Sequence, residues 1–198
     1  MNKRGISKQN LKAIYPLLSL QEGILYHSLY EPRSRAYFQQ ACFRIAGDLD
    51  LELCEQALNS LVRRHDVLRS VFVHENTSQP LHVILKERPV EFHDHDLRTL
   101  STEDRDALLK AFMENDRNRG FDLSTDVLFR VNVFRLTDSL YEMIWSHPHI
   151  IIDGWSGAIL QKEFCSIYQA LRAGRAPELQ EPPPYNQYVD WLEARDTQ

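Results

Sequence analysis

The segment His147-Pro148-His149-Ile150-Ile151-Ile152-Asp153-Gly154-Trp155-Ser156 holds the residue types in this chain best suited to chemistry. An imidazole titrates near pH 6.5, so it can accept a proton from a nucleophile at cellular pH and pass it to a leaving group. Asp153 stands beside Gly154, four residues past His149. It reads as a second carboxylate for the reaction or as the anchor of its loop, and the adjacent glycine favours the anchor. Gly154 has no Cβ, so the backbone there can approach a substrate closely. Upstream, Tyr141, Met143 and Trp145 alternate with Glu142 and Ile144 in a strand-like pattern that Asp-Gly interrupts. The apolar spacing beyond it is helical. His149 is therefore expected at the end of a strand, a position that suits an acyl-transfer base. A lone histidine there would more often be a packing residue. Trp155 is expected to pack under the loop as part of the core.

The elements that must position this segment can be read on both sides of it. A helix is expected over 16–30, after an opening turn, and a strand over 37–46. Asp50 is a plausible cap for a helix reaching about Arg64, with Leu53, Ala57, Leu58, Leu61 and Val62 on one stripe. Strands follow over 68–73, 81–85 and 90–93. A helix opens at Ser101 and runs to about Asn118, with Leu108, Leu109, Phe112 and Met113 inward. A strand over 127–136 should pair antiparallel with 141–147. The helix over 155–171 carries Ile159, Leu160, Phe164, Ile167, Tyr168 and Leu171. Pro182-Pro183-Pro184 forms a stiff linker to a short helical tail. Helices interleaved with hairpins predict a mixed-sheet α/β sandwich.

At 198 residues the chain can bury a substantial core as one domain. Its hydrophobic content of 43% and charged content of 26% describe a globular protein. A formal net charge of −5 with scattered Lys and Arg gives no footprint for nucleic acid. No apolar run approaches the roughly 20 residues of a membrane helix, and no signal-peptide core follows the basic start. Cys42, Cys54 and Cys165 are odd in number and widely spaced, which predicts reduced thiols and a cytoplasmic protein.

His149, Asp153 and Gly154 match in spacing and type the HHxxxDG motif of chloramphenicol acetyltransferase and of nonribosomal peptide synthetase condensation domains. The extension through Trp155 and Ser156 favours the condensation domains. The motif's first histidine is Pro148 here, and His147 lies one place early. Three more segments agree in order. Tyr15 to Gly23 resembles the family's opening motif, and Arg64-His65-Asp66-Val67-Leu68-Arg69-Ser70 resembles RHExLRT. Tyr185 to Trp191 is similar to the motif that follows the histidine motif.

The resemblance implies one lobe of a two-lobed chloramphenicol acetyltransferase-like fold. Residues 1–14 would be a docking segment for a helix of an upstream synthetase subunit, or else a frayed terminus. Residues 15–181 would form the N-terminal lobe, and 182–198 would lead to a C-terminal lobe. Met1 is expected to be the subunit's own start. The intact domain would make an amide from a donor acyl or peptidyl thioester and the amine of an acceptor aminoacyl thioester, as in antibiotic biosynthesis. Both hang on phosphopantetheine arms of upstream and downstream peptidyl carrier domains, so the lobe itself is expected to bind no cofactor. His149 would be the base or positioning residue, Gly154 a backbone contact and Asp153 a structural anchor with an arginine partner. Arg64 and Arg69 are the candidate partners.

Three other readings compete. The fold could serve a stand-alone acetyltransferase-type enzyme acting as a homo-oligomer, or an inactive carrier-recruiting relative, which Pro148 would suit. The lobe alone could also lack turnover. A metal is not expected: His147 and His149 form a His-x-His pair and His93-Asp94-His95 a second, but nothing in the sequence brings the pairs together. Residues 93–96 read as an exposed polar turn, and His65 as a charge at a helix C-terminus.

Overall fold

The computed structural model describes residues 7–32 and 34–196, the side chains of 193, 195 and 196 excepted. Residues 1–6 of the expected docking segment lie outside the described residues, as does position 33 of the loop after the first helix.

Strand β1 (Leu11–Pro16) leads into α1 (Ser19–Tyr30), followed by β2 (Phe38–Ala46) and α2 (Leu51–Arg64). A short 3-10 turn then gives β3 (Ser70–Val73), β4 (Leu81–Leu85) and β5 (Glu91–Asp96). Helix α3 (Thr102–Arg119), strands β6 (Arg130–Thr137) and β7 (Leu140–Pro148), and helices α4 (Gly154–Arg172) and α5 (Tyr185–Asp196) complete the order. The helix starts follow local chemistry. Asp50 accepts the Leu53 N–H at 3.0 Å, and Ser101 Oγ accepts that of Asp104 at 3.1 Å.

The larger sheet has the order β2-β7-β6-β5, antiparallel except for the β5–β6 pair. Period-two alternation sends Tyr141, Met143 and Trp145 of β7 and Val131 and Val133 of β6 into the main core with α2 and α4. Ile144, Phe134 and Leu136 face the other way, onto Leu109 of α3. The sheet is thus covered on both faces. A second, antiparallel sheet has the order β1-β4-β3. Tyr185 at the start of α5 packs edge-on against Tyr15 of β1 and His82 of β4. The architecture is the mixed α/β sandwich that the sequence predicts.

Residues 11–14, at the end of the expected docking segment, belong to β1, which pairs with β4 from Leu11↔Leu85 to Pro16↔Leu81. One expectation needs correction. Residues 93–96 are not a turn. They belong to β5, which pairs in parallel with β6, and His95 stacks on Phe134 at 4.5 Å. Among the described residues no helix is long and apolar enough to cross a membrane.

Candidate active site

Strand β7 ends at Pro148, and His149 is the next residue, at the first position of the turn into α4. Its backbone N–H donates to the Tyr37 carbonyl at 2.8 Å, which continues the β2–β7 pairing one step past the strand. The main chain of His149 is therefore fixed by its neighbour strand. The side chain is half-buried, and no hydrogen bond among the described residues engages its imidazole. His147 differs in every respect. It lies on the face of Trp145, is buried, and has Nδ1 3.4 Å from the Pro148 carbonyl oxygen. Burial, with a smaller effect from the charge of His149, lowers its pKa to about 4. His147 is thus buried beside the core, and the His149 side chain is the less buried of the two.

Asp153 caps α4. Its Oδ1 accepts the Ser156 N–H at 2.7 Å, and its carbonyl accepts the Gly157 N–H at 2.9 Å. The Ser156 backbone and side-chain hydrogen bonds, helped by the nearby His149 charge, hold the carboxyl below its usual pKa. Among the described residues the partners of Asp153 are these backbone groups at the start of α4, and no arginine pairs with it. Arg64 forks onto Glu163 of α4, with Nε at 2.8 Å from Oε2. Glu163 also takes His65 Nε2 at 2.7 Å. Arg69 is buried and donates to the carbonyls of Leu85, Val62 and Arg63 and to Asp66. Both arginines of the second motif thus stitch α2 to its surroundings, and His65 is part of that stitching.

Trp155 is corrected as well. It is 86% exposed and not in the core, because the buried stripe of α4 runs through Leu160, Phe164, Ile167 and Ala170. Beyond its chain neighbours and the backbone of its own helix, an added Cβ at Gly154 would meet no atom within 4 Å among the described residues, so no packing among them requires a glycine there. The two His-x-His pairs stay apart: β6 separates β5, with His93 and His95, from β7. Among the described residues no three His, Cys, Asp or Glu side chains converge as metal ligands.

A cavity of about 310 Å³ reaches the motif at Pro148 and is lined also by His27, Tyr37, Phe38, Phe121 and Leu123. A larger one, about 1020 Å³, opens between the end of α2, the proline linker and α5, and no residue of the histidine motif lines it. Tyr37's part has no signal in the sequence, since its contribution is a backbone carbonyl. Asp116 was legible in principle: it falls on the Leu109-Met113 stripe of α3, where a carboxylate is out of place.

The family model described as condensation domain matches residues 11–198. One plipastatin synthase polypeptide of Bacillus subtilis (strain 168) is 43% identical over 186 residues, which cover 94% of this chain and 7% of that protein. Bacitracin synthase 3 of Bacillus licheniformis is 38% identical over 189 residues, covering 96% and 3% respectively. The starter condensation domain of rhizomide synthetase superposes with a TM-score of 0.84 at 20% identity, over 94% of this chain and 46% of that one. The first condensation domain of the calcium-dependent antibiotic synthetase, bound to a substrate analogue, gives 0.84 at 24% identity over 96% and 46%. At those identities the two solved structures establish the fold alone. The chain spans less than half the length of these domains and a small fraction of the curated relatives. With family match, relatives and fold in agreement, the chain belongs to the condensation domains of nonribosomal peptide synthetases.

Proposed function

We propose that this chain is the histidine-bearing lobe of a condensation domain that joins a donor acyl or peptidyl thioester to the amine of an acceptor aminoacyl thioester. The acceptor nitrogen forms a bond to the donor carbonyl carbon, and the carbon–sulfur bond breaks. The proton leaving nitrogen passes through His149 and ends on the departing thiol of the donor's phosphopantetheine arm. An α-amine titrates near pH 8, so an appreciable fraction is neutral at cellular pH and a strong base is not needed. Positioning the amine against the carbonyl can contribute as much as the base itself. Asp153 caps the helix that follows the turn carrying His149, and Gly154 offers an open backbone to the reacting groups. The observation that carries this reading is the contrast between the two histidines: His147 is buried, and His149 is half-buried on a pinned backbone with no hydrogen bond to its ring among the described residues. The carrier domains, their arms and a second lobe are the partners the reading requires.

The test restores the complete domain and loaded carriers and follows dipeptidyl-thioester formation by intact-protein mass spectrometry. His149→Ala should lower the rate by about 10² or more, the size of a positioned base. Equal rates would make His149 structural. No condensation by wild type with loaded, folded partners would favour the inactive recruiting role that Pro148 suits. The 198-residue chain alone is expected to form no amide, and measurable turnover by it would refute that part.

A further inference from the structure

One register rung of the larger sheet is polar from edge to edge. Gln40 of β2 faces Ser146 of β7, Ser146 faces Arg130 of β6, and Arg130 faces Glu91 of β5. All lie on the α3 side, and α3 meets them with matching groups. Asp116 Oδ2 accepts from Ser146 Oγ at 2.6 Å and from Gln40 Nε2 at 2.9 Å, while Oδ1 pairs with Arg130 Nη2 at 2.7 Å. Arg119 pairs with Glu91 at 2.5 Å. A single carboxylate, 6% exposed, thus binds three adjacent strands at one level.

The rung stands three residues before His149. Its other end is tied down by Gly120, whose positive φ of 62° ends α3 and whose carbonyl accepts from Arg130 Nη1 at 2.9 Å. Arg130 lies 4.0 Å over the Phe121 ring, Phe121 stacks on Phe38, and Phe38 is the register partner of Pro148. Two paths therefore run from the rung to the strand end that presents the histidine.

Stability alone gives a weak reason for this arrangement. Arg130 Nε and Gln40 Oε1 are buried without a hydrogen-bond partner among the described residues, and an incompletely satisfied polar network is worse than an apolar core. What such a network does supply is registry, because shifting a strand by one residue turns every side chain to the other face. We propose that Asp116 is a positioning residue for His149, acting through the Gln40–Ser146–Arg130 rung to fix the register and end point of β7. The proposal rests on the reading of His149 as the base or positioning group of the condensation reaction, and it deepens that reading.

Two variants test it. Ser146→Ala removes the hydroxyl that links β7 to Asp116 and leaves the ion pair intact. The triple variant Asp116→Leu, Arg130→Met, Ser146→Ala fills the rung with apolar groups and leaves no buried charge behind. The first readout is the NMR titration of the His149 ring in the 198-residue chain, with His149→Ala for assignment. The second is the condensation rate of the complete domain. In both variants the unfolding midpoint should stay near that of wild type while the His149 ring shifts and its titration midpoint moves. Condensation should fall about tenfold or more, within the range a misplacement of about 1 Å produces. A ring titration and rate equal to wild type in folded Ser146→Ala would overturn the proposal, and that variant decides if the triple one does not fold. The ring titration reads the clamp even if His149→Ala condenses normally, so failure of the functional reading is told apart from failure of the clamp.

Discussion

The Asp153 carboxylate accepts the backbone N–H of Ser156 at 2.7 Å, so the acidic residue of the histidine motif is the N-cap of α4. Asparagine caps a helix about as well as aspartate, whereas alanine costs about 1 kcal/mol. Asp153→Asn should therefore keep the stability of the chain to within a few tenths of a kcal/mol, and Asp153→Ala should lose about 1 kcal/mol in urea unfolding. In the complete domain Asp153→Asn should retain most of the condensation rate. A collapse of that rate at unchanged stability would mean that the negative charge beside His149 matters in itself.

The two arginines of the second motif differ in what they hold. Arg69, 3% exposed, spends its fork on three backbone carbonyls and Asp66. A lysine cannot reproduce that planar set, and each buried acceptor left unpaired costs about 1–3 kcal/mol. Arg69→Lys should destabilise the chain by about 2–4 kcal/mol on that basis. Arg64 shares Glu163 with His65, so Arg64→Lys leaves a charge partner in place and should cost about 1 kcal/mol or less. Equal losses in a urea series would contradict the division of roles.

Two buried histidines give the fold an acid-sensitive step. Burial lowers the pKa of His82, whose Nε2 sits 2.6 Å from Ser70 Oγ, to about 4, and that of His147 also to about 4. Both folded values lie below the ordinary 6.5, so between the two pH values the unfolded chain binds more protons. Stability should be complete above about pH 6.5 and decline as pH falls towards 4, by up to about 3 kcal/mol for each histidine. Urea midpoints at pH 7 and pH 5 measure it, and His82→Gln should flatten the dependence. An unchanged midpoint across that range would show that the buried rings titrate normally.

Local patterns were legible in the sequence, and long-range pairings were not. The β7–turn–α4 unit is written in the alternation of Tyr141, Met143 and Trp145, the Asp-Gly break and the helical spacing after it. The α2 stripe reads equally well, with Ala57, Leu58, Leu61 and Val62 all buried. The start of β5 was legible over 90–93, but its second half was hidden because His93-Asp94-His95-Asp96 carries no apolar residue; that half is strand through its parallel partner β6. Strand β1 was hidden by its Lys12 and its terminal Pro16, which an edge strand tolerates. Of the site, the position of His149 was legible. The arginine expected for Asp153 was not found because a local cap satisfies that carboxylate first, and Asp116 acquires its role only when three strands meet it.

Trp155 shows how far a helical stripe can be misjudged near its start. It lies five residues before Leu160, about 140° around the helix from it, and Ile159, the next turn along, is 55% exposed beside it. Two large apolar side chains next to a candidate site form the kind of patch that another surface covers. In the 198-residue chain Trp155→Ala should change stability by no more than about 0.5 kcal/mol, as for an exposed position. If the second lobe covers this patch, the same substitution in the complete domain should cost about 3 kcal/mol or more, the loss seen when a packed aromatic is truncated. Urea unfolding of both proteins gives the comparison. A small change in both would leave the patch uncovered by that lobe, and a large loss in the short chain would return Trp155 to the core.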